Sequence, residues 1–361
     1  MAKREVNMLT NLLTKLLKID YPIIQAPMAG GITTSKLVAA VSNNGALGMI
    51  GAGYLSPTQL QEQIREVKEL TSKCFGVNLF VPNDFQVMED EIDKASKLLH
   101  KFQAQLNIEN EQSVIPNKDD AFEEYNEQIK VIMEEKVPIC SFTFGVPSIE
   151  IISQLKQHGI ILIGTATSVV EAKAIEKLGM DAVVVQGSEA GGHRGNFISN
   201  HEESLVGLMS LIPQVSDHVS IPVIAAGGIM DGRGLLASLS LGAKAVQMGT
   251  AFLTCEESGA HPVHKEAILQ AKDEDTIFTR AFSGKWARGI QNKFTTEMQK
   301  LEADILPFPV QNTFTQSIRK ASSSQNNKDF MSLWSGQSPT LAKNETVEML
   351  IQRIIKHAEK G

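Results

Sequence analysis

The sequence predicts an α/β fold closed as a (β/α)8 TIM barrel, with an insertion after the third strand and a helical and loop extension at the C-terminus. Three observations predict it. Short apolar runs alternate with helical patterns from residue 21 to about residue 253, which implies parallel strands joined by helices. Eight such runs can be counted, and seven are followed by a helical pattern before the rhythm stops. The composition, 42 % hydrophobic but only 6 % aromatic, suits a core of aliphatic strands, and 361 residues suffice for one large barrel.

The first strand is read at 21–28 and its helix at 35–44. The second strand is 47–52, followed by a helix at 57–71 with Ser56 as N-cap, a hydroxyl placed to take a first-turn N–H. The third strand is 75–80. Residues 82–136 are longer and more polar, with two helical patterns and a loop near 113–118, and read as an insertion or an extended third helix. Strands at 139–144 and 160–165 precede helices at 148–158 and 168–178, which Gly159 and Gly179 stop. The sixth strand, 182–186, is followed by a helix at 204–215, the seventh, 222–226, by a helix at 232–241, and the eighth is 245–248. Beyond it the chain is polar, with one helical piece at 264–271, a low-complexity loop at 322–328 and an amphipathic helix at 346–360. Residues 1–20 read as a short helix without a signal-peptide core. The expected division is a barrel over 1–255, with the insertion at about 82–136, and an extension over 256–361 packed on it.

The net charge of −7 and the absence of any basic block make nucleic acid an unexpected partner. No apolar run approaches the length of a membrane span. Cys74, Cys140 and Cys255 are far apart and form no CxxC pair, so buried reduced thiols in a cytoplasmic protein are expected, with no metal site.

The strongest chemical signal is Gln186-Gly187-Ser188-Glu189-Ala190-Gly191-Gly192-His193-Arg194-Gly195, where the sixth strand opens into a glycine-rich turn. Ligands of parallel barrels sit at the carboxyl ends of strands, glycine lets the backbone approach them closely, and imidazole moves protons near neutral pH. Among eight histidines, His193 alone stands among glycines at a strand end, and His100, His158, His201, His218, His261, His264 and His357 sit in polar or helical contexts. Arg194 beside it could serve the site or form a structural salt bridge with Glu189. Ala225-Ala226-Gly227-Gly228 and Gln247-Met248-Gly249-Thr250 end the last two strands, where barrels commonly bind phosphate through bare N–H groups. These residues alone leave open whether the phosphate belongs to a substrate or to a flavin. Gln25-Ala26-Pro27-Met28 must end or bulge the first strand, because Pro27 lacks a donor. Asn78 and Gln186, amides in apolar strands, need partners that either a ligand or a neighbouring loop could supply. Gly48-Met49-Ile50-Gly51-Ala52-Gly53 is not a dinucleotide fingerprint and reads as a tight turn at the second strand.

Together with Phe142-Thr143-Phe144-Gly145, Phe282-Ser283-Gly284-Lys285-Trp286-Ala287-Arg288-Gly289 and Leu333-Trp334-Ser335-Gly336-Gln337, these motifs resemble the nitronate monooxygenases over nearly the whole chain. The resemblance implies an FMN enzyme whose C-terminal extension covers the flavin. It implies that Ala26, Pro27 and Met28 meet the flavin ring, and that Asn78 and Gln186 hydrogen-bond the ring or ribityl chain. It implies that Gly191, Gly227, Gly228, Gln247, Met248, Gly249 and Thr250 surround the phosphate end, and that His193 is the catalytic base. The implied partners are a small nitronate or nitroalkane and O2, with a homodimer allowed. A flavin-dependent enoyl-ACP reductase or NAD(P)H:quinone oxidoreductase on the same barrel, and a flavin-binding module without turnover, are the competing readings.

Overall fold

The computed structural model describes residues 9–108 and 114–360. The start of the N-terminal helix expected at 1–20 and residue 113 of the expected loop lie outside them. Eleven strands follow in chain order among the described residues: β1 (Ile23–Gln25), β2 (Gly48–Gly51), β3 (Phe75–Phe80), β4 (Ile139–Thr143), β5 (Ile161–Ala166), β6 (Ala182–Gln186), β7 (Gly192–His193), β8 (Val223–Ala226), β9 (Ala245–Met248), β10 (Thr276–Thr279) and β11 (Ala287–Ile290). Eight of them form one parallel sheet in the order β1-β9-β8-β6-β5-β4-β3-β2. Its two edges meet: Leu47 N–H donates to the Ile23 carbonyl (2.9 Å) and Gln25 N–H to the Leu47 carbonyl (2.9 Å). The barrel predicted from the alternation is therefore the observed fold.

The seam between β1 and β2 has its own chemistry. Pro27 follows too closely for β1 to extend past Gln25. The buried Gln25 side chain continues the pairing instead, accepting from Met49 N–H (3.0 Å) and donating to the Met49 carbonyl (3.2 Å). The glycines of β2 serve close approach, which corrects the reading of 48–53 as a turn. A Cβ on Gly48 would stand 2.2 Å from the Val38 carbonyl oxygen, and one on Gly51 2.7 Å from Ala29 N.

The helices cover the barrel as their capping signals predict. Ser56 accepts from Gln59 N–H, and Gln59 answers Ser56 N–H to complete a capping box. The 82–136 region resolves into two different helices. Lys118–Glu134 lies beside Pro57–Leu70 and fills the crossover from β3 to β4, with Gln128 Nε2 donating to the Leu55 carbonyl (2.6 Å). Glu89–Gln105 instead packs Ala95, Leu99 and Phe102 against the tail residues Phe282, Phe294, Met298 and Phe330. The helix expected at 204–215 starts at Leu208, because residues before it are consumed in a turn.

The tail carries more structure than its polarity suggested. β10 and β11 pair antiparallel, and β11 pairs in turn with β7 in a small three-stranded sheet. The loop expected at 322–328 is a loop only in part: Ser322, Ser323 and Ser324 end the helix Gln316–Ser324, and the Ser322 hydroxyl donates to the Asn327 carbonyl. The closing helix, Val347–Ala358, returns to the barrel and shares its core through Val347, Leu350, Ile351, Ile354 and Ile355. Gly232 permits that contact, since a Cβ there would meet the Ile354 carbonyl oxygen at 2.5 Å. Cys140 and Cys255 are buried, and all three cysteines are unpaired. No helix among the described residues is long and apolar enough to cross a membrane.

Candidate active site

A cavity of about 480 Å³ opens at the carboxyl ends of the barrel strands, a volume ordinary for a small-molecule site. Every site residue expected from sequence lines it: Ala26, Pro27 and Met28 after β1, Asn78 on β3, Gln186 on β6, Gly191 and His193 beyond it, Gly227 and Gly228 after β8, and Gln247, Met248, Gly249 and Thr250 at the end of β9.

One wall is built of glycine backbone. Gly227 (φ 135°) and Gly228 (φ 65°) hold conformations that side-chain-bearing residues rarely adopt. The tail supplies a strap, 335–338, that closes on them. Gly336 N–H donates to Thr250 Oγ1 (2.9 Å) and Gln337 N–H to the Glu189 carbonyl (2.9 Å). Gly191 lies so close that a Cβ would stand 2.5 Å from Gly336 N, and one on Gly228 would stand 3.5 Å from Ser338 Oγ. Loops after β6, β8 and β9 and the strap thus form one cradle with bare backbone and two hydroxyls, a surface suited to phosphate. Ser338 carried no signal in the sequence beyond its place next to the Trp334-Ser335-Gly336 motif.

The two amides divide their work differently. Asn78 Nδ2 donates to Ser141 Oγ (2.9 Å) and Thr143 Oγ1 (3.1 Å) across the sheet. Gln186 braces the glycine-rich turn, with Nε2 donating to the His193 carbonyl (2.9 Å) and Oε1 accepting from Gly195 N–H (2.8 Å). Arg194 does not pair with Glu189. It is fully buried and donates to the carbonyls of Gly187 (2.6 Å), Gln186 (2.9 Å) and Ser204 (2.6 Å), stapling the turn from inside. Glu189 instead accepts from Leu208 N–H (2.8 Å) at the start of a helix. The turn brings three carbonyls to the guanidinium, and these take its donors in place of a carboxylate.

His193 is half-buried and faces the cavity from β7, held by pairing with Ala287 on β11. Its Nε2 lies 2.7 Å from Ser283 Oγ. Aromatic rings surround it, with centroids at 5.3 Å (Trp334), 5.9 Å (Phe144) and 6.4 Å (Phe308). Burial in this cage, with Lys285 and Arg319 adding positive charge, pushes its pKa down to about 3. The imidazole is therefore neutral through the physiological range. Phe144 holds a left-handed backbone (φ 71°), rare for a bulky residue and kept by Asn83 Nδ2 on its carbonyl (2.9 Å). Lys285 Nζ sits 4.8 Å from the Phe144 ring, and burial pushes its pKa down to about 8.

Arg319 and His264 are among the lining residues that were not foreseen. Arg319, on the helix Gln316–Ser324, donates through Nη2 to the Asn312 carbonyl (2.7 Å) and Oδ1 (3.0 Å). Its buried Nε has no partner among the described residues. Nothing in the local sequence distinguishes this arginine from a surface one. His264 was read as an ordinary helical residue, yet it is buried at the cavity wall, with Nε2 2.9 Å from the Trp334 carbonyl.

Burial holds the His264 pKa down at about 4, partly opposed by that hydrogen bond. In the unfolded chain both His193 and His264 protonate near the ordinary value of about 6.5. The unfolded state therefore binds more protons as pH falls, so stability is full above about pH 7 and declines below about 6.5, down to about 4 for His264 and about 3 for His193. His264→Gln, which keeps a donor for the Trp334 carbonyl, is expected to flatten the fall of Tm across that window. A slope identical to the parent's would show that His264 contributes nothing to it.

The profile of the family described as nitronate monooxygenase matches residues 10–357. A Staphylococcus haemolyticus protein named "Probable nitronate monooxygenase" is 52 % identical over 351 residues, 97 % of each chain. Among solved structures, the nitroalkane oxidase of Streptomyces ansochromogenes superposes with a TM-score of 0.88 at 36 % identity, covering 96 % of this chain and 98 % of that one. FabK from Thermotoga maritima superposes with a TM-score of 0.76 at 34 % identity, covering 96 % of each. The chain belongs to the nitronate monooxygenase family.

Proposed function

We propose that this member of the nitronate monooxygenase family binds FMN and oxidises alkyl nitronates, and nitroalkanes that it first deprotonates, with O2 to carbonyl compounds and nitrite. The observation that carries the reading is a neutral imidazole, His193, in the same cavity as a glycine-walled cradle fitted to a phosphate. In it, Ala26, Pro27 and Met28 would border the flavin ring, and Gly191, Gly227, Gly228, Gly249, Thr250 and Ser338 would hold the phosphate end. The flavin would supply the electron chemistry with O2 that side chains lack.

His193 would accept the α-proton of a neutral nitroalkane as general base. Its depressed pKa keeps it unprotonated at working pH. The imidazolium produced would be supported by the nitronate formed beside it, so the transfer creates an ion pair rather than a lone buried cation. Lys285 and Arg319 favour the nitronate side of that pair. The aromatic rings of Phe144, Phe308 and Trp334 keep bulk water from the imidazole.

Arg319, which lines the cavity, is the cation in this reading that would meet the nitro or nitronate oxygens. Arg319→Met is expected to lower kcat/KM for a preformed nitronate about tenfold or more, the scale of one charge-assisted hydrogen bond, with flavin content unchanged. Parent-like kinetics would remove Arg319 from the substrate site.

The test of the function is an absorbance spectrum of the purified protein, followed by anaerobic addition of ethyl nitronate and, separately, NADPH. A flavin spectrum that ethyl nitronate alters and NADPH does not is the expected result. Rapid bleaching by NADPH alone would make the protein a reductase, and a colourless protein would remove the cofactor.

A further inference from the structure

We propose that Ser283 is a positioning residue that locks His193 in its Nε2–H tautomer, so that Nδ1 is the atom that takes the substrate proton. The argument is a count of hydrogens around one buried hydroxyl. Ser283 Oγ has three neighbours at hydrogen-bond distance: His193 Nε2 (2.7 Å), the Lys285 carbonyl oxygen (3.1 Å) and Lys285 N (3.3 Å). A hydroxyl donates once and accepts up to twice. The Lys285 amide can only donate, and the Lys285 carbonyl can only accept. If Ser283 gives its hydrogen to the carbonyl, Oγ must accept from both Lys285 N–H and His193 Nε2–H, and all three bonds are made. If it gives the hydrogen to Nε2, its bond to the carbonyl is lost. The first arrangement makes one bond more, and in a buried site a polar group left without its bond is costly.

The hydroxyl is also held where it is. Ser283 is 1 % exposed. The carbonyls of its two preceding residues are anchored, that of Ala281 by Gln311 Nε2 (2.7 Å) and that of Phe282 by the Thr315 hydroxyl. Gly284 completes the turn with φ 81°, where a Cβ would strike the Leu306 carbonyl oxygen at 2.3 Å. On the other side of the ring, His193 Nδ1 has no partner among the described residues, and it is not one of the sealed unpaired atoms. Since His193 lines the cavity, Nδ1 is the nitrogen open to a ligand.

This inference rests on the proposed base role. In the step it assigns, the Cα–H bond of the nitroalkane breaks, its electron pair becomes the C=N π bond of the nitronate, and the N=O π pair moves onto a nitro oxygen, which takes the negative charge. The proton goes to Nδ1, so that a neutral pair becomes imidazolium and nitronate. Nε2–H keeps its bond to Ser283 throughout, and no second proton moves.

The experiment is 15N NMR of the flavin-loaded protein labelled at histidine, with His193 assigned by its loss in His193→Asn. The expected spectrum has the unprotonated nitrogen at Nδ1. A single Nδ1–H tautomer would overturn the proposal. Ser283→Ala is expected to give a mixture of tautomers and to lower kcat for nitroethane about tenfold or more, while ethyl nitronate turnover stays within about twofold. Ser283→Thr, which keeps the hydroxyl, should restore both tautomer and rate. Equal losses with both substrates, or an unshifted tautomer in Ser283→Ala, would reduce Ser283 to a packing residue. The tautomer is read without turnover, so it can fail or stand independently of the proposed reaction.

Discussion

His193→Asn is expected to leave the flavin bound while lowering turnover of neutral nitroalkanes by about 10²–10⁴-fold, the usual contribution of a positioned general base. Preformed nitronates should lose far less, because they arrive without the α-proton. The fold gives no reason for the flavin to leave. His193 projects its side chain from β7, and the cradle is built of glycine backbone and the Thr250 and Ser338 hydroxyls, not of the imidazole. Asparagine can still offer a polar group to Ser283. The pH profile gives a second check. Because burial and two positive charges push the imidazole pKa to about 3, the parent's nitroalkane activity should show no acid limb near 6.5 from this group. Steady-state rates with nitroethane and ethyl nitronate, side by side, decide the matter, and equal losses with the two would sink the base role.

Gly191→Ala is expected to weaken flavin retention sharply through a single added methyl group. The added Cβ would lie 2.5 Å from Gly336 N and 2.5 Å from the Ser335 carbonyl carbon. Neither is the end of a flexible side chain, so the strap must move away from the barrel. That movement would stretch the Gly336–Thr250 and Gln337–Glu189 hydrogen bonds that close the cradle. Overpacking of this kind costs about 1–3 kcal/mol, enough to weaken flavin retention about tenfold or more. The ratio of flavin to protein absorbance after gel filtration reads the effect. Gly179→Ala is the control, since a Cβ there meets nothing within 4 Å and its positive φ (83°), which Gly191 lacks, puts any backbone strain outside the cradle. Full flavin content in Gly191→Ala would show that the strap does not help to hold the cofactor.

Much of this site was legible because its signals are local. Gly227-Gly228 and Gly249-Thr250 follow strands that the apolar pattern marks, so barrel closure must bring them to one face. His193 stood out by its glycine neighbours. The misreadings share a different cause. The salt bridge to Glu189, one of the two roles left open for Arg194, is not made, since its partners are three backbone carbonyls gathered by the turn. β10 and β11 were missed because neither Thr276-Ile277-Phe278-Thr279 nor Ala287-Arg288-Gly289-Ile290 is a continuous apolar run or separates apolar from polar residues between its two faces. Ser322, Ser323 and Ser324 looked like loop by composition, and tertiary packing holds them in a helix. Arg319 and His264 belong to the site only because the tail folds back over the barrel mouth.

By itself, then, the sequence determined the period of the chain, its punctuation and the chemistry of each strand end, because these depend on neighbours within a few residues. The tertiary structure decided what those groups touch. Gln25 closes the barrel seam through Met49, 24 positions away. Gly191 meets Gly336 across the cradle, and Ser283 reaches His193 across 90 positions to choose which nitrogen carries a proton. A side chain's hydrogen-bond partners are selected by proximity in space, and proximity between distant segments exists only once the core has packed.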